Sequence, residues 1–227
     1  MTRLSQLRDP TLLPALTRPL VPFEALGDRL ARPRRLAATL VAQAQPEPGL
    51  VVDLGAFQGE FLEAFLAQFP RAAGQWTDAG EGTRPVAEER LAPYGPRVTY
   101  RIGCPGRDLT DGSIPQDTNV LITSWVSSHR DAAGTAEVYA AAHSLLAPGG
   151  CLVHLEHVGF TDPAEEQRVL NAWPGYHVLW EGPPPHHDRP IATLEQHLAA
   201  LRAAKFTDLQ IAWHSLATYL FICRKAA

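Results

Sequence analysis

The sequence predicts an α/β fold: a seven-stranded, mostly parallel sheet with an antiparallel last strand, helices on both faces and an N-terminal helical cap. Three observations carry that expectation. Short apolar runs alternate with helix-period segments between residues 48 and 157, the order in which parallel strands and their crossover helices follow one another. A glycine-bearing turn, Gly55 to Gly59, leaves the first of those runs directly. Two strand-like runs near the C-terminus are separated by too short a connection for a crossover, so they pair antiparallel.

Taken in order, residues 1–47 read as short helical pieces interrupted at Pro33 and stopped by Pro46 and Pro48. Leu26 and Leu30 share one face of the first piece, and Leu36, Leu40 and Ala44 share one face of the second. Leu50 to Leu54 reads as a buried parallel strand. Phe61, Leu62, Phe65, Leu66 and Phe69 mark the apolar face of a helix that ends before Pro70. Strands follow at Gln75–Asp78, Arg97–Ile102, Thr118–Ser124 and Cys151–Leu155, with helices at Arg84–Leu91 and Thr135–Leu146. Residues 158–190 hold six prolines and read as an irregular insertion. Thr193-Leu194-Glu195-Gln196 is a capping box that opens a helix to about Lys205. Asp208–Trp213 and Ala217–Cys223 form the last two strands. The domain reading is a helical cap at 1–47 and one Rossmann-like domain at 48–227 that carries the insertion.

Composition narrows the function. Of 227 residues, 45% are hydrophobic and 19% charged, which suits a globular chain able to bury a sizeable core. The net charge is -4 and no basic stripe is present, which speaks against a nucleic-acid partner. The one basic cluster, Arg29, Arg32, Arg34 and Arg35, reads as a solvated helix face. No apolar stretch reaches the roughly 20 residues a membrane span needs. Three widely spaced cysteines do not make a disulfide framework, and a cytoplasmic setting is expected.

The chemistry gathers at Asp53-Leu54-Gly55-Ala56-Phe57-Gln58-Gly59. A strand delivers Asp53, and Gly55 and Gly59 then frame a turn into a helix whose first N–H groups are free donors. The dinucleotide spacing G-x-G-x-x-G is absent, which disfavours a nucleotide-dependent oxidoreductase. A carboxylate ahead of the glycines suits a cationic amino group better than a pyrophosphate. Asp78, at the end of the second strand, stands where an acid accepts hydrogen bonds from ribose hydroxyls.

On these residues the chain resembles the class I S-adenosylmethionine-dependent methyltransferases of the small-molecule type. Residues 53–59 look like that family's D-x-G-x-G-x-G cofactor loop. Leu145 to Leu152 look like its L-L-x-P-G-G-x-L turn, and Leu201 to Phe206 like its L-x-x-A-G-F element, with Lys205 for the glycine. The resemblance implies S-adenosylmethionine as cofactor and methyl transfer to an O, N or C atom of a small-molecule acceptor. It implies that Asp53 and Gly55 hold the methionine moiety and that Ala56 and Gly59 of the same loop also bind the cofactor. Asp78 would hold the ribose, and Ser124 and Trp125 would wall the methionine side. Two residues near the cofactor also depart from the pattern: Phe57 replaces the central glycine, and Cys104 stands where an acid often meets the adenine amino group. They favour the alternative, a relative that binds or partners without methylating.

A base is needed only where the acceptor must lose a proton. His157, directly after the fifth strand, is the first candidate, followed by His129 and His186. His157, His186, His187 and Asp188 have the residue types of a metal site, but no ligand spacing supports one, and no metal is expected. Trp173, Tyr176 and Trp180 could line an acceptor pocket or hold the insertion down. Residues 1–47 and 158–190 are expected to roof the site. The oligomeric state stays open between monomer and homodimer.

Overall fold

The computed structural model describes residues 23–127, 130–172 and 191–227. Its seven-stranded sheet has the order β3-β2-β1-β4-β5-β7-β6. The strands are β1 (Leu50–Leu54), β2 (Ala73–Asp78), β3 (Val98–Ile102), β4 (Thr118–Ser124), β5 (Leu146–His157), β6 (Phe206–Ser215) and β7 (Thr218–Lys225). β1 pairs parallel with β2 and β4, β2 with β3, and β4 with β5. β7 alone runs against the rest, inserted antiparallel between β5 and β6.

Helices α1 (Phe23–Ala44), α2 (Glu60–Gln68) and α3 (Arg84–Leu91) share one apolar layer; α5 (Ala132–Leu145) and α7 (Leu194–Ala203) share the other. The short α4 (Pro105–Asp108) follows β3, and α6 (Pro163–Ala172) follows β5. Side chains alternate faces along a strand. Val51 of β1 and Val153 and Leu155 of β5 accordingly pack under α1 and α2, while Val52, Leu54 and Leu152 pack under α5. The same alternation sets where each polar side chain near the strand ends points.

Three expectations need correction. α1 runs unbroken through Pro33 rather than stopping there. A proline inside a helix costs about 3 kcal/mol; burial of Ala37, Ala38 and Val41 in the same cluster as Phe61, Leu62 and Phe65 offsets it. The segment after residue 158 is not wholly irregular. Pro163 opens α6, a place where its missing N–H is no loss, and the Asp162 carboxylate accepts from Ala164 N–H at 2.8 Å. Arg34 is no part of a solvated face, being 8% exposed, whereas its neighbours Arg32 and Arg35 are exposed. The capping box is present as read, with Thr193 and Gln196 each accepting from the other's backbone N–H. Among the described residues no helix is long and apolar enough to cross a membrane.

Candidate active site at the carboxyl edge of the sheet

β1 ends buried, and the chain leaves it through Gly55 at φ 69. The N–H groups of Gly55 and Ala56 both donate to Thr77 O, at 3.0 and 3.2 Å, tying the turn to β2. A Cβ on Gly55 would stand 2.4 Å from the Ser124 carbonyl oxygen, so the turn and the end of β4 touch backbone to backbone. Phe57 also takes a left-handed conformation, φ 45. The resembled pattern has glycine there for the same reason: positive φ is cheap without a Cβ. Lys205, at φ 67, repeats this substitution at the other glycine position. Gly59, at φ 81, forms the N-cap of α2.

Asp78 sits at the mouth of this turn, 8% exposed. Its Oδ2 accepts from Phe57 N–H at 2.9 Å and its Oδ1 from Gly80 N–H at 2.8 Å. The carboxylate therefore organises the loop from both sides. Each oxygen has a second lone pair; the Thr83 hydroxyl approaches that of Oδ1 at 3.4 Å.

Asp53 is placed differently from the ligand contact that the sequence suggests. It is fully buried, and its Oδ2 accepts from Leu62 N–H in the first turns of α2 at 3.1 Å. Alternation is the reason: Asp53 falls on the same face as Val51, under α2. Burial pushes its pKa up to about 8; Arg34 and the Leu62 N–H oppose the shift, and Glu60 and Asp78 add to it. The folded chain therefore holds this proton more tightly than the unfolded one. The contribution to stability is complete below about pH 4 and declines as the pH rises toward 8. Asp53→Asn keeps an acceptor for Leu62 N–H and removes the titration. In urea denaturation at a series of pH values, the stability of the wild type relative to this variant should fall between pH 4 and 8. A pH-independent difference would contradict the assignment.

An aromatic wall closes the side toward β4 and β5. Trp76 Nε1 donates to Phe57 O at 2.9 Å, and the Phe57 ring meets Trp125 edge-on at 5.5 Å. Trp125, at φ 52, follows Ser124 and donates its N–H to Leu155 O at 3.0 Å. Its ring lies 5.8 Å from that of His157. Ser124 is 6% exposed, and Cys104 stands exposed at the N-cap of α4.

His157 is not on a loop at the crevice mouth. β5 continues through it, paired with Thr218 of β7, so the ring is 2% exposed with Nδ1 3.1 Å from Thr218 Oγ1. His129 and His186 lie outside the described residues, as do His187, Asp188, Trp173, Tyr176 and Trp180. The opposite face of β5 carries a buried polar cluster that sequence reading does not find. Glu156 Oε2 accepts from both the N–H and the hydroxyl of Ser127 at 2.7 Å, pinning the chain just past β4. His154 Nδ1 lies 2.5 Å from Thr123 Oγ1, and Tyr139 OH lies 2.5 Å from His197 Nδ1. Burial, then His197, drives the His154 pKa well down, so that ring is neutral and its 3.6 Å approach to Glu156 is no ion pair. The signal available in sequence was the alternation of His154 and Glu156 within an otherwise apolar strand.

No protein-family model matches the sequence, and no curated protein matches it. Solved structures do. An O-methyltransferase family protein from Burkholderia thailandensis superposes with a TM-score of 0.63 at 19% identity, over 90% of this chain and 59% of that one. Human N-acetylserotonin methyltransferase, solved in complex with S-adenosylmethionine, gives 0.59 at 15% identity, over 90% and 55%. The N,N-8-amino-8-demethyl-D-riboflavin dimethyltransferase of Streptomyces davawensis gives 0.58 at 22% identity, over 88% and 55%. The likeness assigns this chain the class I methyltransferase fold. The chain spans between 55% and 59% of the length of these three proteins.

Proposed function

We propose that this chain transfers the methyl group of S-adenosylmethionine to an O, N or C atom of a small-molecule acceptor. The observation that carries the proposal is Asp78: a strand-end carboxylate beside a glycine turn, in a sheet of this order, with a lone pair on Oδ2 beyond its bond to Phe57 N–H. That acceptor set fits a ribose diol, and the backbone-to-backbone turn at Gly55 leaves no side chain there to obstruct a ligand. Asp78 would hold the ribose. Gly55, Ala56 and Gly59 would line the methionine end, with Ser124 and Trp125 as its wall and Cys104 on the adenine side. Asp53 acts behind the loop, as a positioning residue that fixes the start of α2.

When bound, the cofactor supplies a methyl group already activated by its sulfonium. The work left to this chain is alignment of the acceptor and exclusion of water. The Phe57–Trp125 wall serves the second purpose, since its rings shield the loop from the β4 side. In this reading acceptor selection falls to the segments outside the alternating strand–helix core, residues 1–47 and 158–190. The setting is cytoplasmic, in keeping with three free cysteines.

Calorimetric titration with S-adenosylmethionine and with its demethylated product tests the proposal, followed by screening of acceptors for release of that product. Heat and a thermal shift are expected. Neither, at millimolar cofactor, would overturn it in favour of a relative that binds something else. For the acceptor proton, the burial of His157 in the sheet passes the role of base to His129 and His186 in this reading, so His157→Ala is expected to keep turnover across the pH range. A fall of about 10²–10⁴-fold with cofactor affinity kept would return the role to His157.

A further inference from the structure

Phe57 is the one bulky apolar side chain in the turn from Gly55 to Gly59. Its backbone is fastened from two sides. The N–H donates to Asp78 Oδ2 at 2.9 Å, and the carbonyl oxygen accepts from Trp76 Nε1 at 2.9 Å. Trp76 is fully buried, so the second anchor belongs to the core. The backbone therefore cannot carry the ring aside, and only rotation about the side-chain bonds moves it.

The ring itself is aimed at Trp125. The two planes stand at 89° with centroids 5.5 Å apart, the edge-to-face arrangement that aromatic pairs favour. Trp125 is held in turn by its N–H on Leu155 O and by its ring against His157. Phe57 and Trp125 are both partly exposed, so their contact stands at the open carboxyl edge of the sheet rather than in the core. Phe57 thus bridges two parts of the site. Its backbone sits on the Asp78 carboxylate, and its ring sits on the wall beyond β4.

We propose that the Phe57 ring closes the methionine end of the crevice against Trp125, so that the site takes a nucleoside directly but takes an amino-acid tail only when the ring turns away. The inference rests on the reading of Asp78 as the ribose acceptor and Trp125 as the methionine-side wall. Adenosine ends at its 5′ carbon and stops short of the ring. S-adenosylhomocysteine, the demethylated cofactor product, carries its tail past that carbon toward Trp125. The tail gains its contacts only after the edge-to-face pair is broken, and the two effects offset each other. Glycine at position 57 has no ring to displace and adopts φ 45 without a steric penalty.

The test is calorimetry of the full chain with adenosine and with S-adenosylhomocysteine. In the wild type the two should bind within about threefold of each other. Phe57→Gly should bind S-adenosylhomocysteine on the order of tenfold more tightly while its affinity for adenosine is unchanged. A residue that merely supported the loop would give the opposite result, a loss for both ligands. Circular dichroism checks the fold of the variant; if Phe57→Gly does not fold, Phe57→Ala, which also lacks the ring, decides. A preference for S-adenosylhomocysteine that is unchanged or reduced when the ring is removed overturns the proposal and leaves the methyltransferase reading intact. Absence of heat with both ligands, in the wild type and the variant alike, overturns the methyltransferase reading and this inference with it.

Discussion

Asp78→Ala is expected to cost the chain about 1.5–3 kcal/mol of cofactor affinity, roughly tenfold to more than a hundredfold. Two effects combine. On the proposed reading the charged acceptor for the ribose hydroxyls is lost, and the N–H groups of Phe57 and Gly80, which donate to Oδ2 and Oδ1, lose their partner. The loop that shapes the site is thus loosened by the same substitution that removes the contact. Asp78→Asn distinguishes these parts, since it keeps one oxygen for Phe57 N–H while removing the charge. Affinity between that of wild type and Asp78→Ala is expected. Calorimetry with the demethylated cofactor product measures both variants, and wild-type affinity in Asp78→Ala would rule the residue out as the ribose acceptor.

Gly55→Ala should produce the largest loss of stability. The position has φ 69, and the added Cβ would meet the Ser124 carbonyl oxygen at 2.4 Å. The left-handed conformation costs roughly 1–2 kcal/mol for a residue with a Cβ, and relief of the overlap adds about 1–3 kcal/mol. Neither contact can yield cheaply, because Ser124 O belongs to the backbone at the end of a central strand. The sum, about 2–5 kcal/mol, is a large part of the 5–15 kcal/mol typical of a whole domain. Urea denaturation of the variant measures it. A change under about 1 kcal/mol would mean that β1 and β4 part more easily than their pairing indicates.

Much of this architecture was legible from residue order. The alternation of apolar runs with helical segments predicted the sheet, and the capping box at Thr193 opened α7 where expected. The candidate site residues were legible in sequence, but their placement was not. Asp53 and Asp78 both stand at strand ends, yet Asp78 opens to the turn while Asp53 is spent on α2. His157 read as a residue just beyond a strand, but pairing with Thr218 draws it into the sheet. Arg34 read as one of a solvated group, and packing of α1 against α2 buried it while Arg32 and Arg35 stayed exposed.

Residue order set what is local: hydrophobic period, turn chemistry at Gly55 and Gly59, and the capped helix start at Thr193. These depend on neighbours a few positions away, where backbone sterics and side-chain spacing decide. Packing decided which acid opens to the turn, which histidine is drawn into the sheet and which arginine is buried. Those outcomes depend on contacts across long sequence separations, such as His157 with Thr218 and Arg34 with Phe61. Pro33 shows the balance in one residue: its local penalty predicted a break, and burial of the helix it interrupts outweighed it.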